Sequence, residues 1–332
     1  MRRPPPSLPR QQRGALLILL VIALGILAVT AFVGMLSSSD IQNQQNKTTA
    51  AALAEAKAAM IGFALANQDT PGGLPYPDRA KDGNYDGHGD CVTYNFSNSQ
   101  LLGKFPTLVE DGCTNPGIPA FETDPRDATG ERVWYAVSQN LVKRAGGNFL
   151  TINTHTLATS QYWLTVRDQN GNVLSNQAAF IIMAPDVALA TQNRAGATPT
   201  AQNFLDNYTV NGITYKNWDI DFGFISAPPI NNSTNQFNDR LLYVTASELA
   251  NRLVDRVAGE IRRRLPHPFP TTSTFDTSSY PSWYTNDWSG ITHYTQTDGD
   301  HATISFDNCA SIFIFTWTSP GPIDMTRSPK QC

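Results

Sequence analysis

The chain has 332 residues, 41% hydrophobic and 16% charged, with a formal net charge of -4. It can bury a real core, as one large domain or two small ones. The acidic balance, with no basic stripe to neutralise phosphates, argues against a nucleic-acid partner, and the plentiful Asn, Gln, Thr and Ser of the second half suit a surface working outside the cytosol.

The first segment is a leader, residues 1–14, that holds Arg2, Arg3, Arg10 and Arg13, no acid, and ends in Gly14. From Ala15 to Leu36 no residue is charged. At ~1.5 Å per residue such a helix crosses a hydrocarbon core of about 30 Å. The arginines on its N-terminal side put the N-terminus in the cytoplasm and the rest of the chain outside. A secretory signal has a shorter apolar core, about 7 to 15 residues.

The helical pattern continues through residues 37–67. No Pro or Gly interrupts it before Gly62, and Leu53, Ala56, Met60, Phe63 and Ala64 recur at three- and four-residue steps as one apolar stripe. Pro71-Gly72-Gly73 ends it. A helix from about Ala15 to about Asn67 measures roughly 80 Å, far more than a bilayer requires.

A basic leader ending in glycine, followed at once by an apolar helix that turns amphipathic, resembles the type IV pilin and type II secretion pseudopilin superfamily. The resemblance implies cleavage by a prepilin peptidase after Gly14, N-methylation of Ala15, and a helix that anchors in the inner membrane and then packs with other pilin or pseudopilin subunits. Gly25, Ala28, Ala31 and Gly34 are small residues suited to close helix approach. Family members usually carry a glutamate at the fifth mature position, where this chain has Leu19. That departure favours a minor or tip component over the repeating subunit.

The body, residues 68–332, opens with a turn-rich stretch. Asp82-Gly83-Asn84-Tyr85-Asp86-Gly87 matches the first half of a calcium loop, and Asp90 falls at a ninth ligand position. The twelfth position is Thr93 and not glutamate, so calcium and a metal-free surface turn both remain open. "RVWYAVS" and "QYWLTVRD" read as strands, the latter turning at Asp168-Gln169-Asn170-Gly171. The apolar run Ala178–Ala184 reads as a central strand buried on both faces.

Thr245 with Glu248 marks the start of a second helix, with Leu249, Leu253, Val257, Ile261 and Leu265 on one face. Arg262, Arg263 and Arg264 suit its negative end, either as a solvated terminus or as a docking patch. Tyr280, Trp283, Tyr284 and Trp288 lie in an aromatic tract that is either a ligand surface or packing. Two final strands, "HATISFD" and "SIFIFTWT", close the domain.

The segments "LPYPD", "DPRDATGERVWYAVS", "IIMAPDVALATQNR" and "FNDRLLYVTASELANRLVDRV" resemble, in order, a group of large pilin-like bacterial proteins. The fold expected is α+β and pilin-like: a long N-terminal helix packed on an antiparallel sheet domain with an extra helix. Four cysteines on the exported side suggest disulfides, with three possible pairings. Cys91 with Cys113 and Cys309 with Cys332 is the expected one, the second matching the C-terminal disulfide loop of many pilins.

The histidines His88, His155, His267, His293 and His301 lack metal-ligand spacing, and no CxxC, HExxH, GxSxG or phosphate-binding glycine motif occurs. The function expected is therefore structural and not enzymatic, a minor pilin or pseudopilin subunit. The alternative is a signal-anchored periplasmic binding protein or tip adhesin.

Overall fold

A computed structural model describes residues 12–67, 70–80, 84–92, 97–111, 121–142, 152–159, 162–196, 199–232 and 234–332; within the first of these segments, side chains are described at 24–27 and from Asp40 onward. The chain divides into two compact units, Met1–Thr48 and Thr49–Cys332. Helix α1, Gln12–Ala66, runs unbroken for 55 residues. It begins three residues before the Ala15 start read from the sequence, because nothing in Gln12-Arg13-Gly14 stops a helix. The second unit begins at Thr49, well before residue 68, because α1 contributes to its core from that point.

In the second unit α1 buries Thr49, Ala52, Leu53, Ala56, Met60 and Ala64, a set spaced by three and four residues as one helix face requires. Phe63 stays partly exposed and stacks on Phe121, with ring centroids 5.2 Å apart. Helix α2, Ala246–Arg264, buries Leu249, Leu253, Val257 and Ile261. Its N-cap forms as the sequence implies: the Thr245 hydroxyl accepts the Glu248 N–H at 3.1 Å. Lys57 of α1 pairs with Glu248 of α2 at 2.9 Å.

The main sheet has six strands: β1 Leu102–Lys104, β2 Trp134–Val137, β3 Leu164–Asp168, β4 Val173–Ala184, β5 Phe224–Ser226 and β6 Arg240–Thr245. Strand β4 is the hub. Its residues Phe180 to Met183 pair antiparallel with β2 on one edge and with β6 on the other, and further back along it pairs with β3. Ala178 through Ala184 are all 0% exposed, as expected of a central strand. The β3–β4 turn closes at Gly171, φ 83°, where the Asp168 carboxylate accepts the N–H groups of Asn170 and Asn172. Within this sheet the expectation of antiparallel pairing holds for all pairs but one: β5 runs parallel to β3.

Alternation along β4 sends Phe180, Ile182 and Ala184 to the face shared with α1 and α2, and Ile181 and Met183 to the opposite face. A bulge shifts the register between Val244 and Thr245, whose partners on β4 are Phe180 and Ala178. The extra residue, Ala179, therefore lies on the same side as Phe180.

The C-terminal sheet is a four-stranded antiparallel meander: β7 Thr292–Gln296, β8 His301–Phe306, β9 Ile312–Trp317 and β10 Ile323–Ser328. The sequence indicated β8 and β9 alone. The outer strands "THYTQ" and "IDMTRS" are too polar to announce themselves, and pairing recruits them. Ala302, Ile304, Phe306, Phe313 and Phe315 project from this sheet into the helix-side core.

Candidate functional site

Gly14 and Ala15 lie on the backbone of α1 near its start. Farther along, Leu24, Ile26 and Leu27 are exposed. The stretch Asp40–Ala66 is long and apolar enough by length and composition to cross a membrane. Its buried residues, however, belong to the core of the second unit.

The end of α1 is closed from outside the helix. Arg256 of α2 donates to the carbonyls of Leu65 and Asn67, the latter at 2.7 Å, supplying positive charge where terminal carbonyls lack partners. The guanidinium lies 5.3 Å from the centroid of the Trp283 ring. Replacing Arg256 with Met keeps the stem and removes these bonds. The expected cost is about 2 kcal/mol, with faster hydrogen exchange confined to the last turn of α1; unchanged exchange there would refute the capping role.

Of the two readings of the aromatic tract, a ligand surface or packing, the burial of its side chains fits packing. Tyr280, Trp283, Tyr284 and Trp288 are 7%, 5%, 0% and 1% exposed. Trp283 and Tyr284 are buried from a short helix, Ser282–Asp287. Tyr280 carries Arg264 over its ring at 5.7 Å. Arg263 and Arg264 both pair with Glu260, which places two of the three arginines in local ion pairs.

Two of the proposed calcium ligands, Asp86 and Asp90, serve the backbone. Asp86 accepts the His88 N–H at 2.8 Å, and Asp90 accepts the Arg79 N–H at 2.6 Å; Asp82 lies outside the described residues, and Asn84 sits in the same loop. Among the described residues, no three His, Cys, Asp or Glu side chains converge as a metal site requires. The organising group is Asp78, which accepts the Gly87 N–H at 2.7 Å and pairs with Arg132 at 3.1 Å. Burial pushes its pKa up to about 7.

Cys309 and Cys332 form a disulfide, tying the last residue to the loop before β9. Cys91 is disulfide-bonded; Cys113 lies outside the described residues. His267, His293 and His301 each pair with an aspartate, Asp300, Asp307 and Asp298 respectively. His155 contacts Asn308 at 3.1 Å, and His88 is half-buried at the start of a short strand, His88–Asp90.

A constellation that sequence reading missed is the pair Asp206 and Asp239, 3% and 1% exposed. Each carboxylate accepts the other residue's backbone N–H, at 2.8 Å into Asp239 and 3.1 Å into Asp206. Asn217 donates to Asp239 at 2.9 Å, and Gln192 to Asp206 at 2.8 Å. The second oxygen of Asp239 is buried without a partner among the described residues. Burial raises both pKa values, and for Asp239 the neighbouring Asp206 charge raises it further. Asp206 lines a cleft of about 340 Å³ with Gln192, Asn203 and Gln236. Chemically the pair clamps two loops, and burial disfavours ionising both carboxyls. Nothing in "LDNY" or "FNDR" distinguishes these aspartates from the rest.

No family model matches the chain, and neither a curated protein nor a solved structure matches it.

Proposed function

We propose that the chain is a minor pilin or pseudopilin-like structural subunit of a type IV pilus or type II secretion filament, with a pilin-like fold. One observation carries the reading: a single uninterrupted helix leads from the Arg13-Gly14 junction into the core of an α+β domain. An ordinary membrane anchor has no need of continuity between its apolar run and the domain core.

In this reading prepilin peptidase cuts after Gly14 and Ala15 is methylated. The span is Ala15–Leu36, because Asp40, Lys47, Glu55 and Lys57 interrupt the later stretch and charge within a bilayer is costly. The protein sits in the bacterial inner membrane by one pass, leader in the cytoplasm and body in the periplasm, and joins other subunits through the first part of α1. Leu19 removes the carboxylate that usually sets register, which suits a minor or tip position.

The test is to express the full chain with and without a prepilin peptidase and to read the mature N-terminus by mass spectrometry. A product beginning at methylated Ala15 is expected with the peptidase. An intact leader, or a cut near Ser37, overturns the proposal.

A further inference from the structure

The main sheet ends at β1, β5 and β6, and two of these edges are closed. At β1 the backbone of Asp78 exchanges hydrogen bonds with Lys104, at 2.7 and 3.0 Å. At β5 the Asn217 side chain accepts the Ile225 N–H at 2.8 Å and donates to the Ile225 carbonyl at 3.3 Å. Both devices occupy backbone groups that an added strand would use. Strand β6 differs. It pairs with β4 on one side, and among the described residues no strand lies along its other side. In an antiparallel ladder alternate residues direct their N–H and carbonyl away from the partner.

Other protections of an edge are missing from β6 as well. Arg240-Leu241-Leu242-Tyr243-Val244 contains no proline and no acid. Its one charge, Arg240, is paired within the chain with Asp186 at 3.5 Å. Leu241, Leu242 and Tyr243 are half-buried, Leu241 and Tyr243 against one core cluster and Leu242 against the other. The bulge between Val244 and Thr245 ends the regular stretch, and α2 begins at Ala246. What remains is Arg240 to Val244, centred on Leu242.

We propose that two copies of the chain join their main sheets through β6, antiparallel across a two-fold axis at Leu242. A two-fold contact must be self-complementary, and this strand is. With Leu242 opposite its own copy, Leu241 faces Tyr243 of the second copy and Arg240 faces Val244, so apolar cross-strand pairs form on both faces. The two Arg240 residues then lie about 14 Å apart, at ~3.4 Å per residue, farther than the Debye length at physiological salt. The bulge and α2 limit both copies alike, and a second copy therefore brings a strand of matching length. The contact lies within the second unit and does not depend on how the N-terminus is processed.

The test is oxidative cross-linking of the purified full chain in detergent, with a cysteine placed at the axis. Directly opposed residues of an antiparallel pair have Cα atoms about 4.5 to 5.5 Å apart, within the reach of a disulfide. Leu242→Cys is expected to give a disulfide-linked dimer, whereas Ile213→Cys, exposed on the hairpin Asn207–Lys216, stays monomeric. In sedimentation velocity Leu242→Lys and Leu242→Glu, each setting like charges opposite one another, raise the dissociation constant by about tenfold. Mixing the two variants restores the dimer, because lysine then faces glutamate. Dimers held by α1 alone are insensitive to charge at position 242, so the two contacts are told apart. Leu242→Cys, the milder change, carries the test if a charged variant fails to fold. A wild-type chain that stays monomeric, a Leu242→Cys chain that cross-links no faster than Ile213→Cys, a folded mixture no better than its components, or cross-linking of Leu242→Cys to another protein in place of itself overturns the proposal.

Discussion

Replacing Asp239 with asparagine is expected to make the protein more stable than the wild type at pH 8, by on the order of 2 kcal/mol, and to flatten its stability profile between pH 4 and pH 8. In the folded chain Asp239 is buried against Asp206, and both hold their protons more tightly than an ordinary carboxyl of pKa 3.8. Above that value the folded state binds more protons than the unfolded state. Unfolding free energy therefore falls as pH rises, until the pair has lost its last proton.

Asparagine preserves the clamp, since its carbonyl accepts from the Asp206 N–H and from Asn217 as Oδ2 does now. Its amide replaces the second oxygen, and the unpaired N–H groups it brings offset part of the gain. Asp78 remains in the variant and contributes a residual slope of the same sign between pH 3.8 and about 7. Urea denaturation at a series of pH values checks this. A flat wild-type profile, or a variant less stable than the wild type at pH 8, would show that the pair is not storing this energy.

The larger expected effect comes from Ala56→Asp. Ala56 is 0% exposed in the core formed with Met60 and the main sheet. A carboxylate there has no partner and must be buried, ionised or protonated at a cost, giving about 4 kcal/mol of destabilisation. Ala54→Asp, two residues earlier on the exposed side of the same helix, changes helix propensity identically and costs only about 0.5 kcal/mol. Comparing the two denaturation midpoints separates the seating of α1 from its helicity. Equal shifts would mean that α1 contributes little to the stability of the second unit.

Much of the architecture was legible because it rests on local periodicity. The stripe through Leu53, Ala56, Met60 and Ala64, the face from Leu249 to Ile261, and the apolar run of β4 each bury as their spacing dictates. A period of 3.6 or an unbroken apolar segment is a property of neighbouring residues, so the sequence expresses it directly. The Thr245 cap and the Asp168–Gly171 turn are equally local. The pairing of Cys309 with Cys332 is different: the residues left three arrangements open, and a family resemblance singled out this pair.

What only the tertiary structure decided depends on residues far apart in the chain. Asp206 and Asp239 meet across 33 positions, and Arg256 reaches the end of α1 across 189. The aromatic tract looked the same as surface or as core until Arg256, Arg264 and two sheets closed around it. Polar strands such as β7 and β10 form because a neighbour offers hydrogen bonds, not because their side chains demand it. Composition and spacing determine which faces must be buried; which polar groups are trapped between those faces, and with whom, follows only from the packing.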